Sequence, residues 1–128
     1  MKKLFALFAA TFIAASAFAG EFPDISIADL KKAIADKKVT VVDVMGTSSY
    51  KDKHVPTALD FAAIKGKLAD SLPADKNALV VAYCGGPSCK AYQAAANAAE
   101  KLGYKNIKHL SAGISGWVAA GEKTEKAN

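Results

Sequence analysis

The chain alternates short apolar runs with segments in which apolar residues recur every three or four positions. Short apolar runs rich in β-branched residues are typical of strands covered on both faces of a sheet, and three occur, at residues 39–44, 78–83 and 107–110. Helical spacing is clearest over residues 64–72 and 88–102. This alternation predicts an α/β domain, with a mainly parallel sheet of about five strands and helices on both faces.

Local signals place the ends of two helices. Ser26 and Asp29 have the spacing of a capping box, which predicts a helix that begins after Ser26 and ends near residues 36–38. Gly103 is expected to end the helix that starts at Ser88. At 128 residues the chain has the length of one domain.

The best candidate for a reactive residue is a cysteine at the junction between a predicted strand and a predicted helix. Cys84 stands where the strand at residues 78–83 ends, and Gly85, Gly86 and Pro87 form a turn before the next helix. Two adjacent glycines let the backbone fold closely around the sulfur, and the amides of the loop and of the helix start then point at it. Such a concave set of N–H groups favours an anion. The sequence therefore predicts a Cys84 thiol with a lowered pKa, and the thiolate is the nucleophilic form.

These pieces resemble a known family. Residues 83–121, which begin YCGGPSCKAYQ, resemble the second half of a rhodanese-like domain, where a strand delivers a cysteine into a short loop and a helix follows. Residues 39–61, VTVVDVMGTSSYKDKHVPTALDF, resemble the family's first strand and its His-Ile-Pro-Gly-Ala segment, here at residues 54–58. With ISIADLKKAI in front, the resemblance covers residues 24–121 and implies a rhodanese-like fold.

The resemblance also implies a chemistry, that of a sulfurtransferase or persulfide carrier with Cys84 as the catalytic nucleophile. Its thiolate would attack the outer sulfur of a donor such as thiosulfate, and a second nucleophile would cleave the persulfide. Neither a metal nor an organic cofactor is required. The implied partners are a small sulfur donor and a thiol or anionic acceptor, including a protein thiol. The implied active-site loop consists of Gly85, Gly86, Pro87, Ser88, Cys89 and Lys90.

With Cys84 counted as the first position, the loop departs from the family at its sixth position. That place is often an arginine and here is Cys89, followed by Lys90. The family also usually has an arginine at the position of Met45, and this chain contains no arginine at all. Because a guanidinium binds an anion through two donors, we expect weaker thiosulfate binding than in an arginine-bearing relative. The same lack disfavours a phosphatase.

The two cysteines leave three interpretations open. An even number of cysteines in an oxidising compartment favours a disulfide, and a loop curled around its first residue could bring the two Cα atoms within roughly 7 Å. In the first interpretation Cys89 resolves the Cys84 persulfide as a disulfide. In the second the protein is a thiol–disulfide redox protein, and in the third a Cys84–Cys89 staple stabilises a non-catalytic binding module. The chemistry of the loop favours the first.

Four other side chains that invite a functional interpretation are assigned to the scaffold. A carboxylate beside a thiolate would raise the pKa of the thiol, so a structural role is favoured for Asp43. His54 and His109 belong to segments that build the sheet, and Trp117 is expected in the core. Residues 43–49 leave the carboxyl end of a strand and are expected to border the Cys84 site, because ligands collect at that edge of an open sheet.

The two ends of the chain carry different signals. Lys2 and Lys3 precede an apolar run and an Ala-Phe-Ala sequence, so residues 1–19 are predicted to be a secretory signal peptide cleaved after Ala19. This predicts a periplasmic or secreted rhodanese-like domain at residues 20–121 and a disordered tail at residues 122–128. Removal of the two lysines lowers the formal charge from +5 to +3. Since the remaining lysines are scattered among acids, neither nucleic acid nor membrane is an expected partner.

Overall fold

The computed structural model describes residues 22–128, so the predicted signal peptide lies outside the described residues. No helix within them is both long enough and apolar enough to cross a bilayer. The helices are α1 (Ile27–Ala35), α2 (Thr47–Asp52), α3 (Phe61–Ile64), α4 (Leu68–Ser71), α5 (Tyr92–Lys101) and α6 (Gly113–Ala119), with a 3₁₀ turn at Lys65–Lys67. The strands are β1 (Val39–Asp43), β2 (Leu59–Asp60), β3 (Leu79–Tyr83) and β4 (Asn106–His109).

The strands form one parallel sheet in the order β2-β1-β3-β4, which confirms the predicted α/β class. The described part of the chain has four strands where about five were expected. The place beside β4 holds an isolated parallel bridge between Asp24 and His109 instead. Pro23 accepts a hydrogen bond from the His109 amide but has no N–H to donate, so the ladder cannot extend through it.

Two apolar cores lie on opposite faces of this sheet because side chains alternate along each strand. Val42, Val80 and Ala82 face α4 and α5, in a core that also contains Cys84. Residues at the alternate positions of β1 and β3 face α1 and α6, which contribute the buried Leu30, Ile114 and Trp117. Helices therefore cover both faces, as predicted, and Trp117 belongs to the core.

Most of the predicted helix ends are correct. The Ser26 hydroxyl accepts a hydrogen bond from the Asp29 amide (3.0 Å) and caps α1. Gly103 ends α5 with a φ of +98°, a conformation that favours glycine. The predicted continuous helix at residues 64–72 is wrong, because it is split into α3, a 3₁₀ turn and α4 around Gly66, and glycine is a poor helix former.

The last residues of the chain lie against the end of α2 and the segment that follows it. Glu125 exchanges two backbone hydrogen bonds with His54, each 2.9 Å long, and its side chain accepts one from the Thr57 amide. The Ala127 amide donates to the Lys51 carbonyl (3.0 Å). The segment for which the sequence predicts a disordered tail therefore has specific backbone contacts.

Candidate active site

Cys84 directly follows β3, which lies between β1 and β4. It therefore stands at the carboxyl edge of the sheet, where ligands bind in open α/β folds. Cys84 is only 1% exposed, whereas Cys89 is partly exposed and Pro87, Ser88 and Lys90 are exposed. The loop thus has a buried sulfur at its start and a solvent-facing tip.

The two cysteines are joined by a disulfide. Their Cα atoms are 6.3 Å apart and their sulfur atoms 2.11 Å. The Cys89 amide donates a hydrogen bond to the Gly86 carbonyl (3.1 Å), which turns the chain back toward Cys84. The curled loop that the sequence suggests is therefore present, and it brings both sulfur atoms to one point.

The beginning of α6 holds the first two peptides of the loop. The Ile114 amide donates to the Cys84 carbonyl (2.9 Å), and the Ser115 amide donates to the Gly85 carbonyl (3.0 Å). In a trans peptide the C=O and N–H groups point in opposite directions, and the described residues contain no cis peptide. The Gly85 and Gly86 amides therefore point away from α6, which leaves them as donors on the other side of the loop.

Gly113 is a site residue that the sequence did not reveal. A Cβ atom at this position would lie 2.5 Å from the Gly85 carbonyl carbon and 2.6 Å from the Gly86 nitrogen. Its φ is +64°, whereas neither Gly85 nor Gly86 has a positive φ. The close backbone approach expected of the paired glycines is thus made possible by Gly113. In the structure this glycine is the first residue of α6, where its low helix propensity needs a reason.

The predicted start of the helix that follows Cys84 is wrong, and with it the expectation that the first amides of this helix lie beside the sulfur. The sequence places the helix start at Ser88, but α5 begins at Tyr92. Ser88, Cys89 and Lys90 belong to the loop, since the loop must turn back on itself to bring Cys89 to Cys84. Loop amides, rather than the first turn of a helix, are therefore the nearest donors along the chain to Cys84.

Asp43 lies in a buried hydrogen-bonded chain beneath the loop. One carboxylate oxygen accepts from the Met45 amide (2.7 Å) and the other from the Tyr83 hydroxyl (2.5 Å), which itself accepts from the Val55 amide (3.0 Å). Burial raises the pKa of Asp43, and burial together with the Asp43 hydrogen bond raises the pKa of Tyr83. Both oxygens of Asp43 have partners within the scaffold, which supports the structural role inferred from sequence.

Both histidines also pack into the scaffold. His54 is stacked on Tyr50, with ring centroids 3.8 Å apart, and its Nδ1 donates to the Tyr50 carbonyl (2.7 Å). His109 is stacked on Tyr92 with centroids 3.4 Å apart. The His109 Nε2 is buried with no hydrogen-bond partner in the described part of the chain, and burial lowers the pKa of His109 against an opposing effect of Asp24.

A cavity of about 520 Å³ lies beside Met45 and Ile114, two residues next to the cysteine loop. The Met45 sulfur lies 3.8 Å from where a Cβ of Gly85 would stand, and the Ile114 amide binds the Cys84 carbonyl. Residues after β1 thus border the Cys84 loop, as the sequence predicts. The cavity is lined by Met45, Ser48, Ser49, Asp52, Lys53 and Ile114.

The fold and the site together define an α/β domain with a cysteine in a curled loop at the carboxyl end of a central parallel strand. Residues 26–120 match the family described as the rhodanese-like domain, and the chain belongs to this family. No curated protein sequence gives a significant match.

Solved structures share the fold. A protein from Bacillus halodurans is 28% identical, with a TM-score of 0.64 over 81% of this chain and 77% of that chain. A thiosulfate sulfurtransferase from Pseudomonas aeruginosa is 23% identical, with a TM-score of 0.68 over 91% of this chain but only 22% of that chain. A human single-domain sulfurtransferase is 17% identical, with a TM-score of 0.58 over 76% of this chain and 96% of that chain.

Proposed function

We propose that the protein is a sulfurtransferase or persulfide carrier that moves sulfane sulfur on Cys84. The observation that carries this proposal is the position of Cys84, directly after the central strand, in a loop whose first two carbonyls are bound by α6. This arrangement turns the Gly85 and Gly86 amides away from α6, where they are available to stabilise negative charge on a sulfur. Membership of the rhodanese-like family supports the same chemistry.

The transfer begins with the Cys84 thiolate. It attacks the outer sulfur of thiosulfate, forms a new S–S bond and expels sulfite, which takes the electron pair of the broken S–S bond. The product is a Cys84 persulfide anion. Two of the structural neighbours bear names of this class, a thiosulfate sulfurtransferase and a single-domain sulfurtransferase. Because the chain has no arginine, we expect a higher KM for thiosulfate than in an arginine-bearing relative.

Cys89 is placed to release the sulfur. The Cα atoms of the two cysteines are close enough for a disulfide, so the Cys89 thiolate can attack Cys84 Sγ of the persulfide. That step forms the Cys84–Cys89 disulfide and expels the outer sulfur, which takes the electron pair of the persulfide bond and a proton from water and leaves as hydrosulfide. A thiol reductant must then reopen the disulfide before the next turnover.

Peptide mapping of the reduced protein after incubation with thiosulfate tests the assignment. We expect the mass of one additional sulfur atom on the Cys84 peptide of the Cys89→Ser variant, which lacks the resolving thiol. The wild type should release hydrosulfide and end as the disulfide, and Cys84→Ser should gain no sulfur. Sulfur on Cys89 in the Cys84→Ser variant, or none on Cys84 in the Cys89→Ser variant, would contradict the proposal.

The disulfide itself favours a second candidate, a thiol–disulfide redox protein that cycles between the two states. This function needs no sulfur donor, so oxidation of a partner dithiol by the disulfide form would identify it. A disulfide that resists mild thiol reductants, with no activity in either state, would instead identify a stapled binding module.

We further propose that the domain works in the periplasm or is secreted. The support is the sequence at residues 1–19, which has the charged, apolar and small-residue regions of a signal peptide. Mass determination of the mature protein from a bacterial periplasmic extract tests this, with Gly20 expected as the first residue. A protein that keeps residues 1–19 and stays in the cytoplasmic fraction would contradict it.

A further inference from the structure

We propose that Cys89 is the thiolation site of the oxidised protein, the sulfur atom that an incoming thiolate attacks to reopen the disulfide. Cys84 is then the preferred leaving thiolate. The proposal rests on the proposed function only for the later use of that thiolate. The site of attack is a property of the disulfide in this fold.

The first argument is the unequal burial of the two sulfur-bearing residues. Cys84 is 1% exposed and belongs to a core cluster with residues of α5 and the sheet, among them Tyr92 and Ala96. Cys89 is partly exposed and stands between the exposed Ser88 and Lys90. A thiol in solution therefore has access to Cys89 and not to Cys84, and access is one of the factors that decides which sulfur reacts.

The direction of attack strengthens this argument. In thiol–disulfide exchange the attacking thiolate approaches along the S–S axis, from the side opposite the leaving sulfur. To reach Cys84 Sγ it would have to come from the side away from Cys89, where Cys84 packs into the core. Cys89 also packs against this core but is partly exposed, so its sulfur is the less obstructed of the two.

The stability of the leaving thiolate also favours attack on Cys89. A sulfur departs faster when its thiolate is better stabilised. The Cys84 and Gly85 carbonyls are both bound by α6, so the Gly85 and Gly86 amides point away from α6 and remain available to an anion at Cys84. Cys89 follows an exposed turn, in which the Gly86 carbonyl is bound by the Cys89 amide (3.1 Å).

The reaction balances without a further reactant. A small-molecule thiolate forms a bond to Cys89 Sγ, the Cys84–Cys89 bond breaks, and its electron pair stays on Cys84 as the thiolate. A second thiol then attacks the mixed disulfide, leaves Cys89 as a thiol and carries the first away as an external disulfide. The protein is reduced by two electrons, and two thiols are oxidised.

The test is peptide mapping of the oxidised wild-type protein after brief exposure to β-mercaptoethanol, an uncharged thiol, with excess iodoacetamide present to trap each freed thiolate at once. We expect the mercaptoethanol adduct on Cys89 and the alkyl group on Cys84, in roughly tenfold or greater preference at the earliest times. Equal labelling, or an adduct mainly on Cys84, would overturn the proposal.

The same reaction in denaturing urea is the matched control, because unfolding exposes both sulfur atoms. The preference should fall toward parity there. A preference that survives unfolding would show that the local sequence, rather than burial in the fold, selects the sulfur, and would overturn the argument. No sulfur donor is present in either experiment, so the result is independent of whether sulfur transfer is observed.

Discussion

Replacement of Gly113 by alanine tests whether α6 positions the cysteine loop. The added Cβ would lie 2.5 Å from the Gly85 carbonyl carbon, and even tight Cβ contacts are seldom shorter than 3.0 Å. Both neighbouring groups are backbone atoms that cannot rotate away, so α6 and the loop must separate. The hydrogen bonds from Ile114 to Cys84 and from Ser115 to Gly85 lie directly beside this contact and should lengthen with it.

The size of the effect follows from three contributions. An alanine at a φ of +64° costs about 1–2 kcal/mol of backbone strain. The overpacked contact adds about 1–3 kcal/mol, and weakening of the two hydrogen bonds adds about 1 kcal/mol more. We expect Gly113→Ala to lower the free energy of unfolding by about 3–6 kcal/mol, less than the total stability of many domains.

Gly121→Ala is the matched control. Gly121 also has a positive φ, +81°, but a Cβ there would meet nothing within 4 Å. It should therefore cost only the backbone strain, about 1–2 kcal/mol. Urea unfolding of both oxidised variants, followed by the fluorescence of the buried Trp117 and by circular dichroism, measures the difference. Equal destabilisation of the two variants would refute the reasoning.

The remaining predictions concern buried polar groups. Tyr83→Phe leaves one Asp43 oxygen and the Val55 amide without their partner, so it should cost about 2–4 kcal/mol in urea unfolding. Tyr104→Phe, which loses a single hydrogen bond to a carbonyl, should cost about 1 kcal/mol, and a larger loss there would contradict this. Because the pKa of His109 is lowered in the folded state, the unfolded chain takes up that proton first, and wild-type stability should fall as the pH drops below 6.5. The His109→Phe variant should not show this fall in stability, and a variant with the wild-type pH profile would refute the prediction.

The parts of the fold that the sequence could predict depend on neighbouring residues. The cap of Ser26, the end of α5 at Gly103 and the place of Cys84 after a buried strand are all set within a few positions of the chain. Each has a local physical signal, because a hydroxyl, a glycine or an apolar run acts on the backbone beside it. These signals are sufficient for the fold class and for a candidate nucleophile.

The parts that it could not predict join residues that are distant in sequence. Gly113 meets Gly85 only after β4 and the turn that follows it have brought α6 to the edge of the sheet. The Tyr83 hydroxyl reaches Asp43 because β1 and β3 are neighbours in register. The start of α5 was also misplaced, since helical spacing of alanines gives no sign that the residues before Tyr92 are needed to close the loop.

The contacts between α6 and the cysteine loop divide the loop into a fixed half and an exposed half. Its first half is fixed, because the Cys84 and Gly85 carbonyls are bound by α6 and Gly113 lies against the Gly85–Gly86 peptide. Its second half contains the exposed Pro87, Ser88 and Lys90. The sulfur donor of the proposed reaction can reach the buried Cys84 only if some part of the loop moves, and the exposed half is the part that can move while the Cys84 and Gly85 carbonyls stay bound to α6. We therefore expect substitutions in the exposed half to change the opening of the loop, and substitutions in the fixed half to change the stability of the Cys84 thiolate.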